Sequence, residues 1–279
     1  MRAPAKEERG RVRTLLHLSD LHFGRVNGQL VEPLLTLAHA LAPDLVVVSG
    51  DFTQRARVRE YREARAFLER LPQPQLVVPG NHDIPLWDVF RRFLSPLGRY
   101  RRYITDDLAP FYHDDSIAVL GINTARSLTR KYGRINADQI AHARAVFGEV
   151  NEKVVKIVVT HHPFDLPPGS RSRLVGRSAM AMRGLATAGV DLILSGHLHL
   201  QHTGLTAKRY RIEGYSALVA QTGTTISTRG RGEANSFNLI RVESDAIAIQ
   251  PYLWEPGVGG FVAQAIDRFV RRATEWVRG

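Results

Sequence analysis

The sequence predicts an α/β fold in which short buried strands alternate with helices, and three observations lead to that prediction. Strand-length apolar runs recur as far as residue 195, and segments with helical periodicity separate them. Hydrophobic residues make up 44% of the chain and charged residues 23%, which is ordinary for a globular protein. No internal repeat or clear linker divides the 279 residues, so we expect one principal domain.

Six segments have the character of buried strands. In chain order they cover residues 13–19, 44–49, 75–79, 116–122, 153–160 and 191–195. Apolar residues at helical spacing predict helices between them, over 30–41, 61–71, 133–150 and 178–188. This alternation is typical of βαβ units, in which helices cover a parallel or mixed sheet.

The chain has a different character after residue 200. Segments typical of strands cover 210–219, 237–242 and 246–253, and turns rich in Gly and Thr separate them. The last stretch, FVAQAIDRFVRRATEWV, has apolar residues at helical spacing, but it also fits a pair of strands. The sequence leaves that choice open.

Charge and cysteine content limit the classes of function. The net charge of +11 favours anionic partners such as phosphates, nucleic acid or an anionic membrane surface, although a high arginine content also follows from genome composition. Without cysteine, disulfides and thiolate metal ligands are excluded. The apolar runs are too short to span a membrane, and MRAPAKEERGRVR lacks the apolar core of a signal peptide. We therefore expect a cytoplasmic protein without integral membrane contact.

Polar side chains follow five of the predicted strands, at the point where each strand ends. The five segments are Asp20-Leu21-His22, Gly50-Asp51, Gly80-Asn81-His82-Asp83, His161-His162 and Gly196-His197-Leu198-His199. Ligands of open α/β sheets bind at the carboxyl ends of the strands, so these segments are expected to meet. Taken alone, the Asp-x-His and Gly-Asp segments are more typical of turns, and a double histidine is as often structural as functional. GHLH is more specific, because alternate strand positions would point both histidines the same way. The five segments together, all without sulfur, predict a metal site.

The motifs DLH, GD, GNHD, HH and GHLH, in this order and at these separations, resemble those of the calcineurin-like metallophosphoesterases. The resemblance covers about residues 14–250, and within the superfamily the chain is most similar to the bacterial class III cyclic-nucleotide phosphodiesterase group. It implies a sandwich of two mixed β-sheets flanked by helices, with a dinuclear metal site at the carboxyl ends of the strands. We accordingly expect a disordered basic tail over 1–13, a catalytic domain over 14–254, and a C-terminal extension over 255–279 packed on that domain.

The resemblance also implies a role for each motif residue. The ligands of single ions are expected to be Asp20, His22 and His199 for the first metal, and Asn81, His161 and His197 for the second. Asp51 resembles the carboxylate that bridges both ions. His82 resembles the catalytic histidine, and Asp83 is grouped with it because it is expected to orient the loop. His162 matches a position that varies in the family, so we expect it to lie behind the ligands.

These ligands imply a cofactor and a reaction. Nitrogen and oxygen donors suit Mn, Fe, Zn or Co, so we expect two divalent transition-metal ions. Two such ions, roughly 3.5–4 Å apart, would lower the pKa of a shared water and bind the phosphate oxygens. The expected reaction is hydrolysis of a phosphodiester bond by a hydroxide that bridges the metals, with His82 acting on the leaving oxygen.

The substrate is expected to be a small phosphodiester, a cyclic nucleotide or a related compound. The positive charge keeps a nuclease or a nucleic-acid end-processing enzyme open as the alternative. A lipid-linked nucleotide pyrophosphatase is less favoured, because the glucosamine-lipid branch of the superfamily typically has arginine where this chain has His82. A non-catalytic scaffold is disfavoured because no motif residue is missing. The oligomeric state stays open, with a homodimer among the options.

Two arginine-rich stretches are candidates for phosphate contacts. FRRF and RYRRY lie within 90–103, and RSRLVGR covers 171–177. We favour a solvated helix face and a surface loop for these stretches. If either contacts substrate, residues 171–177 are the better candidate for the mouth of the site, since they lie between the motifs of His161 and His197.

Overall fold

The apolar runs of the sequence form the strands of two β-sheets that pack face to face. The computed structural model describes residues 11–129, 131–230 and 232–279, so most of the predicted disordered tail over 1–13 lies outside the described residues. The described strands are β1 Arg13–Leu18, β2 Leu45–Val48, β3 Gln75–Val77, β4 Phe111–His113, β5 Ile117–Gly121, β6 Val155–Val159, β7 Leu192–Ser195, β8 His202–Leu205, β9 Leu218–Gln221, β10 Ser236–Val242, β11 Ala246–Glu255, β12 Gly260–Ala263, β13 Asp267–Arg272 and β14 Glu275–Arg278. The described α-helices are α1 Val31–Leu41, α2 Val58–Leu68, α3 Val89–Leu94, α4 Gly98–Tyr103, α5 Ala137–Gly148 and α6 Ser178–Thr187.

Each sheet has parallel strands with antiparallel strands beside them. The first sheet has the order β14-β13-β11-β10-β1-β2-β3, with β12 also paired to β11, and its parallel strands are β1, β2 and β3. The second has the order β4-β5-β6-β7-β9-β8, and β5, β6, β7 and β9 are parallel. The predicted sandwich of two mixed sheets with flanking helices is confirmed.

Successive side chains of the central strands belong to different cores. In β1, Leu15 lies in the core between the sheets, whereas Leu16 packs with residues of α1 and α2 on the outer face. In β6, Ile157 lies between the sheets and Val158 packs with residues of α5 and α6. Strands that are buried on both faces need apolar residues at every position, which explains the continuous apolar runs in the sequence.

Helices α1, α5 and α6 lie within the predicted ranges and are shorter than predicted, whereas α2 has the predicted length but begins three residues earlier. The helix expected over 133–150 begins at Ala137, because Asn136 accepts a hydrogen bond from the Gln139 N–H and the Gln139 side chain accepts one from the Asn136 N–H. This reciprocal capping satisfies backbone donors that the first helical turn leaves unpaired. In the described residues, no helix is both long and apolar enough to cross a membrane.

The prediction of a strand over 210–219 is wrong for most of that range. The strands in this region are β8 and β9, and the segment between them is largely irregular. Tyr210, Ile212 and Tyr215 pack against the outer core near α6, and both tyrosine hydroxyls donate to backbone carbonyls. Their aromatic and β-branched character therefore reflects packing of a loop and not a place in a sheet.

The C-terminal stretch, for which the sequence allowed a helix or strands, forms strands. β13 pairs with β11 and with β14, so residues 255–279 extend the first sheet. Phe269 and Trp276 enter the core between the sheets, and the indole N–H of Trp276 donates to Asp191. The apolar residues at helical spacing include Ile266, which is exposed, so their spacing does not mark a buried helix face.

Candidate metal centre and active site

The five polar motifs meet at one place, beyond the carboxyl ends of β1, β2, β3, β6 and β7. Their ligand atoms lie within 4.8 Å of one another in each of three overlapping groups, which are Asp20, His22 and His199; Asp20, Asp51 and His161; and His161, His162 and His197. All these side chains are buried. The structure thus brings together every Asp and His that the sequence assigned as a ligand, and Asn81 lines the adjoining pocket.

The carboxylate of Asp51 lies between the two predicted metal positions. Its Oδ1 accepts a hydrogen bond from the backbone N–H of His82 at 2.8 Å. Its Oδ2 lies 3.3 Å from Nε2 of His161 and 3.7 Å from Nε2 of His22, one predicted ligand of each metal. One oxygen is therefore fixed by the protein, and the other lies close to one predicted ligand of each metal.

Backbone carbonyls set the direction of two histidine rings. Nδ1 of His161 lies 2.8 Å from the carbonyl oxygen of Ser49, and Nδ1 of His199 lies 2.8 Å from that of Arg229. In both pairs the ring N–H donates, because a carbonyl can only accept. This leaves Nε2 of each ring as the metal-binding atom, and such outer contacts are typical of histidine ligands.

Unpartnered polar atoms indicate that the cluster fits metal ions. Oδ1 of Asn81 and Nε2 of His197 are buried and have no hydrogen-bond partner among the described residues. Buried polar atoms are nearly always paired, so two orphans at predicted ligand positions need an explanation. Coordination of a cation by these atoms provides one, and the surrounding nitrogen and oxygen donors suit a transition metal.

His162 lies next to the ligands, where the sequence places it. Its Nδ1 is 2.7 Å from Oγ1 of Thr124, and its ring centroid is 4.7 Å from that of His197. Burial and the neighbouring His197 and His161 hold the pKa of His162 well below its usual value, so the ring is neutral. Nε2 of His162 is unpartnered too among the described residues. Its place outside the ligand set stays a prediction.

Five of the expected ligands have a left-handed backbone, which non-glycine residues rarely adopt. The φ angles are 53° at Asp20, 48° at His22, 54° at Asp51, 71° at His197 and 58° at His199. Such conformations are unfavourable and persist where the surrounding structure enforces them, most often at functional sites. The sharp turns that follow the strands aim these side chains back into the cluster.

Glycines in the motifs leave room for this arrangement. A Cβ atom at Gly80 would collide with Oδ1 of Asp51, and one at Gly50 would lie 2.8 Å from Nδ1 of His161. Gly50 also has a φ of 100°, which side chains rarely tolerate. The Gly in the GD and GNHD motifs is therefore required by the close approach of the loops.

Carboxylates and imidazoles in the cluster stabilise each other. Burial alone would raise the pKa of Asp51, but the imidazole of His161 holds it well below its usual value. Burial alone would lower the pKa of His161, but Asp51 and Asp20 raise it to about 9. The pKa of His197 falls to about 3, because it is buried beside His161.

The ring of His82 is held on both sides. Its Nδ1 lies 2.9 Å from the carbonyl oxygen of Gln54, so this nitrogen carries the hydrogen. Its Nε2 lies 2.9 Å from Nη1 of Arg229, and a guanidinium can only donate. These contacts describe a neutral ring whose Nε2 accepts. The ring centroid is 4.9 Å from that of His22, so His82 lies beside the first predicted metal position.

Asp83 ties together the loops that follow β2 and β3. Its carboxylate accepts hydrogen bonds from the backbone N–H groups of Gly80, Phe52 and Thr53, and from the hydroxyl of Thr53. Burial and repulsion by Asp51 raise the pKa of Asp83 to about 7, and the backbone donors oppose that rise. Because Asp83 is fully buried, these contacts support the expectation that it orients the loop.

A pocket of about 390 Å³ adjoins the cluster. Its lining includes Asp51, Asn81, His82, His197 and His199. Four cationic side chains also line it, namely Arg55, Arg92, Lys131 and Arg229. Ile84 and Leu86 supply an apolar wall. A volume of this size is typical of sites for small molecules, and the cations favour an anionic one.

Residues 13–201 match the family model of calcineurin-like phosphoesterases. The chain belongs to this family. The resemblance stated from the motifs is thereby confirmed, and the protein is a metal-dependent hydrolase of the phosphoesterase type.

Relatives of the phosphoesterase include named phosphodiesterases of bacteria. It is 27% identical to a glycerophosphodiester phosphodiesterase of Enterobacter lignolyticus over 219 residues, which are 71% of this chain and 73% of the relative. It is 26% identical to a cAMP/cGMP dual specificity phosphodiesterase of Mycobacterium tuberculosis over 285 residues, which cover 89% and 82% of the two chains.

Solved structures share the fold of the phosphoesterase at low identity. The structure of PhoD superposes with a TM-score of 0.70 at 12% identity, over 99% of this chain and 73% of PhoD. A dimetal phosphatase of Danio rerio superposes with a TM-score of 0.64 at 13% identity, over 90% of this chain and 98% of the phosphatase. At these identities the likeness supports the fold alone.

The pocket of the phosphoesterase contains residues that the sequence did not single out. No residue of 171–177 is among those that line it, so that loop is not the rim of this pocket. Arg92, read from the sequence as part of a solvated helix face, is buried and lines the pocket. Arg229 lies in the loop after β9. Because β9 runs parallel to β7, its carboxyl end was a signal that could have identified Arg229.

Proposed function

We propose that the phosphoesterase hydrolyses small phosphodiesters, with cyclic nucleotides and glycerophosphodiesters as the leading substrate classes. The activities named for its two bacterial relatives support diesters. The observation that carries the proposal is the position of His82, which lines the anionic-substrate pocket beside the metal cluster and is fixed by Gln54 and Arg229. A diester has a poor leaving group, and an acid at this position removes that obstacle.

Seven residues would hold the two metal ions. They are Asp20, His22, Asp51, Asn81, His161, His197 and His199, whose nitrogen and oxygen donors suit Mn, Fe, Zn or Co. When bound, such ions activate water as a nucleophile and bind the phosphate oxygens. Asp51 would help to hold both ions, because Oδ1 is tied to the His82 N–H while Oδ2 lies near both His22 and His161.

Arg229 would bind the phosphate of the substrate, and His82 would protonate its leaving oxygen. The guanidinium of Arg229 matches the geometry of phosphate, and its donor to Nε2 of His82 is the one that a phosphate oxygen can take over. Once that donor is on the substrate, Nε2 of His82 is free to take up a proton from solvent and to donate it to the departing oxygen. The hydrogen bond from Nδ1 to Gln54 keeps the ring directed at that oxygen.

The pocket favours a small substrate over a polymer. Its volume of about 390 Å³ suits a compact molecule, and Ile84 and Leu86 offer contact to an organic group such as a base or a glycerol. Proteins that bind single-stranded nucleic acid present a charged groove with aromatic side chains along several nucleotides. No aromatic ring other than imidazole is among the residues that line this pocket.

A substrate panel tests the proposal. We expect bis-p-nitrophenyl phosphate, cyclic nucleotides and glycerophosphodiesters to be hydrolysed faster than p-nitrophenyl phosphate, and turnover to change little with salt. DNA and RNA should be assayed at two salt concentrations. Cleavage confined to polynucleotides, with a steep decline as salt rises, would establish the nuclease alternative and refute the small-diester proposal.

A further inference from the structure

Helix α3 presents its apolar residues to solvent and its arginine to the interior. Trp87, Phe90 and Leu94 are 76%, 81% and 82% exposed, and Val89 and Phe93 are exposed as well. Arg92 on the same helix is only 6% exposed, and its guanidinium donates to the carbonyl of Pro85. A helix on a soluble core normally has the opposite arrangement.

The exposed apolar side chains of this segment form one patch. Val89, Phe90, Phe93 and Leu94 fall within an arc of about 140° at 100° per residue, on one side of the helix. Trp87 precedes Asp88, the residue that caps this helix. Half of the large apolar side chains that are exposed in the described part of the chain lie in these eight residues. We call Trp87, Val89, Phe90, Phe93 and Leu94 the α3 patch.

Electric charge distinguishes the partners that such a patch could bind. Over residues 86–107 four of the five arginines are exposed or half-buried, against three aspartates, and the whole chain has a net charge of +11. Arg101 and Arg102 on α4 are exposed, and Arg91 pairs with Asp88. A second copy of a basic chain is repelled, whereas an anionic surface is attracted. Trp and Phe combined with Arg are also typical of segments that lie in a membrane interface.

We propose that the α3 patch is a docking surface for an anionic lipid bilayer, with its aromatic side chains inserted at the level of the headgroups. The α3 patch lies next to the pocket of the active site. Leu86 and Arg92, which flank and interrupt the patch, line the pocket that contains His82. Docking therefore brings the entrance of the active site close to the lipid headgroups.

Vesicle binding of the full chain tests the proposal. Vesicles of phosphatidylcholine alone are compared with an equal mixture of phosphatidylcholine and phosphatidylglycerol by co-sedimentation. We expect binding to the mixed vesicles to be about tenfold stronger or more, and to weaken as salt is raised. Phe90→Ser with Leu94→Ser should reduce it by about tenfold or more, because two large apolar side chains no longer insert. Val258→Ser with Ile266→Ser is the matched control, since both residues are exposed far along the chain; it should bind as the wild type does.

A second measurement needs no variant. Trp276 is buried and Trp254 is half-buried, so a blue shift of emission and quenching by brominated lipid report on Trp87. Hydrolysis of bis-p-nitrophenyl phosphate without vesicles should be equal in both double variants and the wild type, which verifies that they fold. The proposal is overturned if the wild type does not bind mixed vesicles at low salt, or if the Phe90 and Leu94 variant binds them as strongly as the wild type does. Self-association of the wild type that this variant abolishes would also overturn it, because the occupant would then be a second copy.

Discussion

At the scale of single residues, the active site depends on a few side chains that are held from two directions. His82 is the clearest case, since the carbonyl of Gln54 fixes one ring nitrogen and Arg229 contacts the other. Neither of these two hydrogen bonds is made to a predicted metal ligand, although the ring also packs edge to face on that of His22. The backbone of His82, by contrast, does contact Asp51. The chemistry of the ring is therefore separable from metal binding by substitution of the side chain.

His82→Ala should keep the metal ions and lose most turnover of diesters with alkoxide leaving groups. General acid catalysis contributes about 10²–10⁴-fold, so kcat should fall by that order. Bis-p-nitrophenyl phosphate should be affected less, because p-nitrophenolate departs with little protonation. Steady-state kinetics with both substrate types, alongside elemental analysis, measure this. Loss of metal in the variant would show that the imidazole is a ligand and that the assigned role is wrong.

Arg229 should affect both binding and turnover. Arg229→Ala removes a donor from the phosphate position, so we expect kcat/KM for a diester to fall by about 10²-fold. Arg171→Ala is the matched control, because this exposed arginine belongs to the 171–177 loop and is not among the residues that line the pocket. Equal kinetics in the two variants would contradict the assignment of Arg229 and restore the loop as a candidate rim.

At the scale of elements, the predicted ligands meet because the backbone turns after the strands are tight. Side chains from different strands can therefore approach one another. At Gly80 the approach is very close, since Oδ1 of Asp51 occupies the space that a side chain would need. The GD and GNHD motifs are therefore a single packing unit shared by the loops after β2 and β3.

Gly80→Ala should displace Asp51 and with it the metal site. We expect a loss of about 2 kcal/mol or more in the free energy of unfolding, together with loss of bound metal. Gly148→Ala is the matched control, because a Cβ there has no neighbour within 4 Å and the residue lies at the end of α5. Denaturant unfolding of both variants decides the matter. A stable Gly80→Ala protein with full metal content would disprove the packing argument.

At the scale of the whole molecule, apolar runs and helical periods predicted the alternation of strands and helices because they are local signals, whereas the sandwich of two sheets was implied by the family resemblance. The sequence predicted the metal cluster because the ligands come directly after strands. It failed over 210–219, where Tyr210 and Tyr215 pack on α6 as part of a loop. It also did not single out Arg229, which reaches His82 across a sequence separation of 147 residues that no local pattern encodes.

The α3 patch illustrates the same limit. Nothing in the sequence FRRF indicates which of its residues are buried. In the structure Arg92 is buried and both phenylalanines are exposed. That outcome depends on the backbone carbonyl of Pro85, which accepts from Arg92, and on the pocket that Arg92 lines.

Metal content tests the central account most directly. Elemental analysis of protein purified without chelator should give about two transition-metal ions per chain. Asp51→Ala should lose most of both, because Oδ2 of Asp51 lies near a predicted ligand of each ion. Dialysis against chelator should abolish hydrolysis of bis-p-nitrophenyl phosphate, and Mn²⁺ should restore it. A reproducible metal content near zero, with no activity gained on adding Mn²⁺, would contradict the account.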